Sequence, residues 1–382
     1  MSSSLRNSDP FCWRRLYTEA SMFRSLADLQ SDDSDDEGLA LSAISRLDKA
    51  VIVAGAAGEA RLDIIHATIV KIQAEYLPVV HDDYTDSFPL ISSTSPALSP
   101  CSRVVPILSS PPSMTAFQHH RSKEPFVLKN YTQAWPALTY NPWRSPTYLR
   151  HVAGPGRVVP VEVGSDYRAS NWTQTIMRWD DFLCSLSSSK QATADPVLYL
   201  AQHNLLAQFP ALRDDIIIPD YVYAAMVAPD DYPNYRPPGN EDQLVLNAWL
   251  GPAGTVSPAH TDPYYNLYAQ VVGRKTVWLA PPGATASMYP YSAPTSSPAV
   301  SGTDKESRNP AVNNIDPSLS NTSRVDVFAR AQSREEFPAF WENAVAQAMA
   351  VTLEPGDLLF FPPGWWHAMR SDDVSFSVSM WF

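Results

Sequence analysis

Residues 249–266 read WLGPAGTVSPAHTDPYYN: a histidine and an aspartate two apart, set between prolines at the head of a strand-forming run. Runs of similar character surround it. PFVLKNY, VVPVEVG, VLYLAQ, LVLNAWLG, NLYAQVVG, KTVWLAPP, DLLFFPP and VSFSVSMWF are rich in Val, Leu, Phe, Tyr and Trp, and Gly or Pro bounds most of them. Many short strands with Gly/Pro turns point to a β-barrel or a double-sheet jelly roll. One helical stretch is expected from Phe337 to Ala350, before the last pair of strands.

Upstream the periodicity changes. Leu62, Ile65, Ile69, Ile72 and Tyr76 recur at steps of three and four, as do Leu41, Ile44, Leu47 and Val51, so residues 11–80 read as helical. Gly55 and Gly58 supply a break, and the acidic run SDDSDDE at 31–37 reads as a solvated loop. From His81 to Gln118 serine and proline dominate with no period, which predicts a linker. A second such stretch, 284–323, interrupts the strand-rich region and reads as a long inserted loop. The expected organisation is α+β: a helical domain over 1–80, a linker over 81–118, and a strand-rich domain over 119–382 that carries the insert.

The 382 residues are 45% hydrophobic and 18% charged, enough chain for two domains with a sizeable core. With 28 Lys+Arg against 40 Asp+Glu the net charge is −12 and no basic block occurs, which disfavours sequence-independent nucleic-acid binding. Cys12, Cys101 and Cys184 are too few and too scattered for a disulfide framework or a cysteine zinc site. A reducing compartment fits them, the nucleus or the cytoplasm. No run approaches a membrane span of ~18 apolar residues, and MSSSLRNSDPFCWRR lacks a signal-peptide core, so a soluble intracellular protein is expected.

Two His-x-Asp triplets occur. His81-Asp82-Asp83 opens the Ser/Pro-rich stretch, where no rigid wall would hold a metal, and reads as an exposed turn. His260-Thr261-Asp262 lies in extended sequence, where residues two apart share a side, so an imidazole and a carboxylate are presented together. A second histidine from a facing strand would complete the 2-His-1-carboxylate facial triad of non-haem Fe(II) oxygenases. His367 is the candidate, just past the turn in LEPGDLLFFPPGWWHAMRS, although alone it would read as a core histidine. Lys275 shares parity with Val277 and Leu279, the expected inward face of its strand. Burying a lysine is costly without a partner, so an anionic ligand is its natural complement; the other reading is an outward lysine at the turn.

These motifs resemble the jumonji-C oxygenases, which are cupin-like jelly rolls using Fe(II), 2-oxoglutarate and dioxygen. Within that family the chain is similar to the subfamily of jumonji domain-containing protein five, the lysine-demethylase-eight type, described as an arginyl hydroxylase. The stretches that carry the likeness are CWRRLYTEA, RLDKAVIVAGA, RLDIIHATIVKIQ, VPVEVGSDY, LYLAQHNLL, IPDY, NAWLGPAGTVSPAHTDPYYN and SFSVSMWF. They cover the helical part and residues 124–382, and miss the linker and the insert. The resemblance implies that His260, Asp262 and His367 bind iron. It implies that Lys275, Tyr199, Ser257, Asn266 and Trp381 form the 2-oxoglutarate site, and that Glu162, Tyr167 and Trp249 face the substrate side chain.

A carboxylate such as Glu162 pairs with a planar guanidinium through two hydrogen bonds, which favours an arginyl side chain of a protein or peptide substrate. Otherwise Glu162 reads as an exposed strand residue or half of a structural ion pair. Tyr167 and Trp249 could instead contribute to an aromatic cage for methyl-lysine, as in a histone demethylase. A third reading is a non-catalytic binding jelly roll whose helical half engages protein partners; the complete triad and Lys275 weigh against it. Trp249, Trp365, Trp366 and Trp381 offer aromatic walls, some of them plain core.

Overall fold

Asp35 opens the second helix by accepting a hydrogen bond from the Gly38 amide, and Gly55 closes it at φ 65°, in the left-handed region that glycine adopts without strain. The helical part comprises α1 (Phe11–Leu29), α2 (Asp36–Ala54) and α3 (Arg61–Tyr76). The computed structural model describes residues 10–30, 35–78, 85–89, 100–164, 166–169, 171–187, 196–292, 319–329 and 334–382. Both expected stripes are buried: Ile44, Leu47 and Val51 of α2 pack with Ile65, Ile69 and Ile72 of α3. Helix α1 behaves differently. It buries Thr18, Ser21 and Ser25 and leaves Phe11, Trp13, Leu16 and Phe23 exposed. The three hydroxyls bond back to carbonyls four residues earlier, which satisfies them inside the bundle.

The strands are β1 (Arg103–Val104), β2 (Ile107–Leu108), β3 (Phe126–Leu128), β4 (Val158–Val163), β5 (Thr173–Arg178), β6 (Leu198–His203) and β7 (Val245–Gly251). There follow β8 (Val256–Thr261), β9 (Asn266–Val272), β10 (Lys275–Ala280), β11 (Met349–Leu353), β12 (Leu358–Phe361), β13 (Trp366–Ser371) and β14 (Ser375–Trp381). They form a five-stranded sheet, β1-β11-β10-β13-β8, and a nine-stranded sheet, β2-β3-β12-β9-β14-β7-β6-β4-β5. Only β1–β11 and β2–β3 are parallel among the strand pairs. A helical region followed by a two-sheet jelly roll is the α+β architecture expected.

Between the sheets, Val277 and Leu279 of β10 meet Tyr268 of β9 and Leu359 and Phe361 of β12. The outer face of the smaller sheet is covered too. Trp278, Ala280, Trp366 and Ala368 pack under Ala284, Met288, Val325, Val327 and Phe340. Strand β10 is therefore buried on both sides, which is why it reads as a continuous apolar run. Trp366 belongs to this outer layer and not to a pocket wall.

Three expectations need correction. Residues 100–118, assigned to the linker, supply β1 and β2, and Val105 between them is 1% exposed. Two-residue strands around Pro106 leave no period to read, and proline is tolerated at a sheet margin. Both described ends of the 284–323 insert are packed: Ala284 and Met288 on one side, Thr322 and Ser323 on the other, are at most 1% exposed. The helix expected from Phe337 to Ala350 ends at Gln347, because Met349 and Ala350 pair with Leu279 and Trp278 in the smaller sheet.

A buried charge cluster ties α2 to the jelly roll. Asp48, fully buried, accepts two hydrogen bonds from Arg157 Nε (3.1 and 2.9 Å), and others from Arg157 Nη2 (2.8 Å), the Val158 amide (2.9 Å) and Gln208 Nε2 (2.8 Å). Removing one partner of such a pair leaves a desolvated charge uncompensated. Asp48→Asn is expected to lower unfolding free energy by about 3 kcal/mol in a denaturant titration. A loss under about 0.5 kcal/mol would show that solvent reaches the cluster.

Candidate active site

In the antiparallel pair β8–β13, His260 stands directly opposite His367, and their ring centroids are 4.2 Å apart. The next pair in register is Ser257 with Met369, so β8 takes three steps where β13 takes two. One residue of β8 is bulged out. The bulge lets Ser257 and His260, an odd number apart, both face the space between the sheets. Strict alternation would forbid it.

Asp262 follows the end of β8, and its carbonyl accepts a hydrogen bond from the Gly364 amide at 2.8 Å. Gly364 sits at φ 76°, and a Cβ there would come within 2.4 Å of the Tyr232 ring, so the turn before β13 requires glycine. Asp262 Oδ2 lies 3.4 Å from His367 Nε2 and 4.0 Å from His260 Nε2. One ligand atom from each of the three residues falls within 4.8 Å of the others; among the described residues no other His, Cys, Asp or Glu group does this. Residues 81–83, the second triplet, lie outside the described residues.

Each histidine turns Nδ1 to a carbonyl two residues earlier, His260 to Pro258 at 2.7 Å and His367 to Trp365 at 3.1 Å. A proton on Nδ1 satisfies that carbonyl and leaves Nε2 as the unprotonated nitrogen on the Asp262 side. Burial, then the neighbouring His367, lowers the His260 pKa to about 4, which keeps the imidazole neutral. Burial works to raise the Asp262 carboxyl, but the proximity of His367, then of His260, outweighs it, and its pKa is lowered. Two imidazole nitrogens and one carboxylate on one side of a point are the donor set of a facial iron site.

Lys275 points into the same interior and is 1% exposed. Its Nζ donates to the Tyr268 hydroxyl at 2.9 Å, with the Tyr199 ring centroid 5.8 Å away. Burial lowers its pKa to about 7. Tyr199 is also raised by burial, and hydrogen-bonds Ser257. Asn266 stands opposite Trp381 in register, and Asn266 Oδ1, Trp381 Nε1 and Asn247 Nδ2 are buried with no hydrogen-bond partner among the described residues. Asn266 shares strand parity with Tyr268, the hydrogen-bond partner of Lys275, so a buried amine and unsatisfied polar atoms line the same inner face and suit a small anionic ligand.

Glu162 pairs in register with Tyr199, and its Oε2 accepts a hydrogen bond from Trp172 Nε1 at 3.3 Å. Burial raises its pKa, against the pull of the Trp172 hydrogen bond. Trp249 lies 6.2 Å from Tyr199 between ring centroids and donates from Nε1 to Ser379 Oγ at 3.0 Å. Tyr167 is differently engaged: its hydroxyl lies 3.2 Å from Thr322 Oγ1. Sequence reasoning missed Tyr268, Trp172, Asn247 and Thr322. Tyr268 and Asn247 share strand parity with Asn266 and Trp249, which could have found them, whereas nothing local marks Trp172 or Thr322.

A family model for the cupin-like domain matches residues 112–382. The chain is 38% identical over 317 residues to jumonji C domain-containing protein 5 of Drosophila melanogaster, covering 80% of this chain and 68% of that protein. It is 32% identical over 380 residues to lysine-specific demethylase 8 of Danio rerio, covering 97% of this chain and 81% of that protein. It is 38% identical over 258 residues to lysine-specific demethylase JMJ30 of Arabidopsis thaliana, covering 68% and 49% of the two chains. With these relatives, a jelly roll and a His-Asp-His cluster, the chain belongs to the cupin-like JmjC family of 2-oxoglutarate-dependent oxygenases.

Proposed function

We propose that this chain is an Fe(II)- and 2-oxoglutarate-dependent oxygenase that hydroxylates an arginyl side chain of a protein or peptide substrate. His260, Asp262 and His367 would hold the iron, and their mutual distances and free Nε2 positions support this. Lys275 would pair with the distal carboxylate of 2-oxoglutarate, with Tyr199, Ser257, Asn266 and Trp381 around it. The iron, with 2-oxoglutarate and dioxygen, supplies an oxidant able to take hydrogen from an unactivated C–H bond. The chain's own part is to hold the cosubstrate, orient the side chain and keep water out.

The observation that carries the arginyl reading is Glu162, a carboxylate on a strand wall beside Tyr199, which accepts hydrogen bonds from Trp172 and Gln174 and forms no salt bridge with a Lys or Arg among the described residues. A guanidinium would supply a cation there. The second reading, removal of methyl groups from lysine, is favoured by the names of two relatives, both lysine-specific demethylases, and by the aromatic rings of Trp249 and Tyr167. Mass spectrometry of Arg- and methyl-Lys-containing peptides incubated with Fe(II), 2-oxoglutarate and ascorbate decides between them. One oxygen gained on Arg supports hydroxylation, methyl loss from Lys supports demethylation, and no turnover returns a purely binding role. No described helix is long and apolar enough to cross a membrane, and a nuclear or cytoplasmic location is part of the proposal.

Glu162→Gln removes the charge at nearly constant shape. A hydrogen bond to a charged group contributes about 1.5–3 kcal/mol, so peptide KM is expected to rise roughly tenfold to a hundredfold. The KM for 2-oxoglutarate should move little. Because burial raises the Glu162 pKa, peptide binding should weaken as pH falls through that raised value, and the Gln variant should lose this dependence. A parallel loss of thermal stability and of both KM values would mark Glu162 as a structural residue.

A further inference from the structure

The free edge of the smaller sheet is β8, the strand that carries His260, and residues 321–323 lie along it. The Thr261 amide donates to Asn321 O at 3.1 Å, Asn321 Nδ2 donates to Thr261 O at 2.7 Å, and the Ser323 amide donates to Ala259 O at 2.8 Å. His260 and Thr322 form an antiparallel bridge. Bridge partners in an antiparallel pair send their side chains to the same face, so Thr322 presents its hydroxyl on the side where His260 presents its imidazole. Thr322 is 1% exposed.

The loop that follows β4, and therefore Glu162, closes on this segment from the other sheet. Tyr167 hydroxyl meets Thr322 Oγ1 at 3.2 Å. Its neighbour Arg168, fixed by a salt bridge to Asp166 at 2.6 Å, donates from Nη1 to Ser323 O at 3.1 Å and to Val325 O at 3.3 Å. The segment is anchored behind as well: the Tyr291 amide donates to Thr322 O, and Ser323 Oγ donates to Met288 O. Residues 319–325 thus span from the metal-ligand strand to the Glu162 loop.

We propose that Thr322 is a wall residue of the substrate pocket, set in place by Tyr167 and Arg168, and that Tyr167 acts on the substrate only through Thr322. This inference rests on the proposed peptide oxygenase reading. It assigns Tyr167 a positioning role in place of direct substrate contact. It also makes the C-terminal end of the 284–323 insert part of what selects the substrate.

A double-mutant cycle on peptide KM tests the link. Tyr167→Phe and Thr322→Val each remove one side of a single hydrogen bond, so each should raise peptide KM by about tenfold with little change in kcat. Thr322→Ser keeps the hydroxyl and should stay near the parent value. The double variant should be no worse than either single, because one interaction is lost once. A double effect equal to the product of the two would show that Tyr167 touches the substrate independently, and would overturn the proposal. Hydrogen exchange gives a readout that needs no substrate: in Tyr167→Phe, the amides of Thr261, Thr322 and Ser323 should exchange faster than in the parent. Unchanged exchange there would also overturn the proposal, and this holds even if arginyl turnover is never found.

Discussion

His260→Ala and His367→Ala are each expected to lose bound metal and to cut 2-oxoglutarate turnover by more than about a hundredfold, beyond what loss of a supporting contact to a metal ligand costs. The cause is the donor count. With one imidazole gone, Asp262 and a single nitrogen remain, too few to hold a divalent metal firmly against water. Thermal stability should fall less for His260→Ala, whose side chain keeps 16% of its surface exposed. His367 is 3% exposed and packs against Phe361 with ring centroids 4.7 Å apart, so its alanine variant should cost more stability. Metal content by mass spectrometry, succinate release and a melting curve separate these effects. Substantial succinate release by either variant would remove the triad from the iron.

Lys275→Ala carries the second large effect. Removing one member of a desolvated charge pair costs about 3–5 kcal/mol, so 2-oxoglutarate KM should rise by more than about a hundredfold. Lys275→Arg keeps the charge but not the reach in a cleft bounded by Tyr199 and Tyr268, and should rescue only partly. Burial sets the pH dependence. With a pKa near 7 before an anion binds, Lys275 is largely neutral at pH 8, and a carboxylate partner must raise that pKa on binding. Binding should therefore take up a proton above pH 7, and affinity should weaken by up to about tenfold per pH unit as pH rises. Titration calorimetry in two buffers of different ionisation enthalpy measures that uptake directly. Proton release, or no exchange at pH 8, would show that the cation sought by the cosubstrate is not Lys275.

The chain also separates what can be read along it from what cannot. His260 and Asp262 two apart, His367 behind a Pro-Pro-Gly turn, and Lys275 in phase with Val277 and Leu279 were legible because strand parity is a local property. The stripes of α2 and α3 were legible because helix periodicity is local as well. The bulge in β8 was not: it exists only against the register of β13, and it alone brings Ser257 to the face of His260.

Contacts made across long stretches of chain left no local sign. Asp48 meets Arg157 across 109 residues, and Tyr167 meets Thr322 across 155. Neither pair shows a period, because each depends on where two remote elements dock. The polar buried face of α1 belongs here too, since its Thr and Ser hydroxyls are buried only once α2 packs on them, with Ser25 reaching the Ala43 carbonyl. The sequence by itself thus determined the strand-rich class and the inward placing of His260, Asp262 and Lys275, all set by backbone geometry within a few residues. The tertiary structure decided how the pocket is walled, because sheet edges and loops acquire their neighbours only when the whole chain closes.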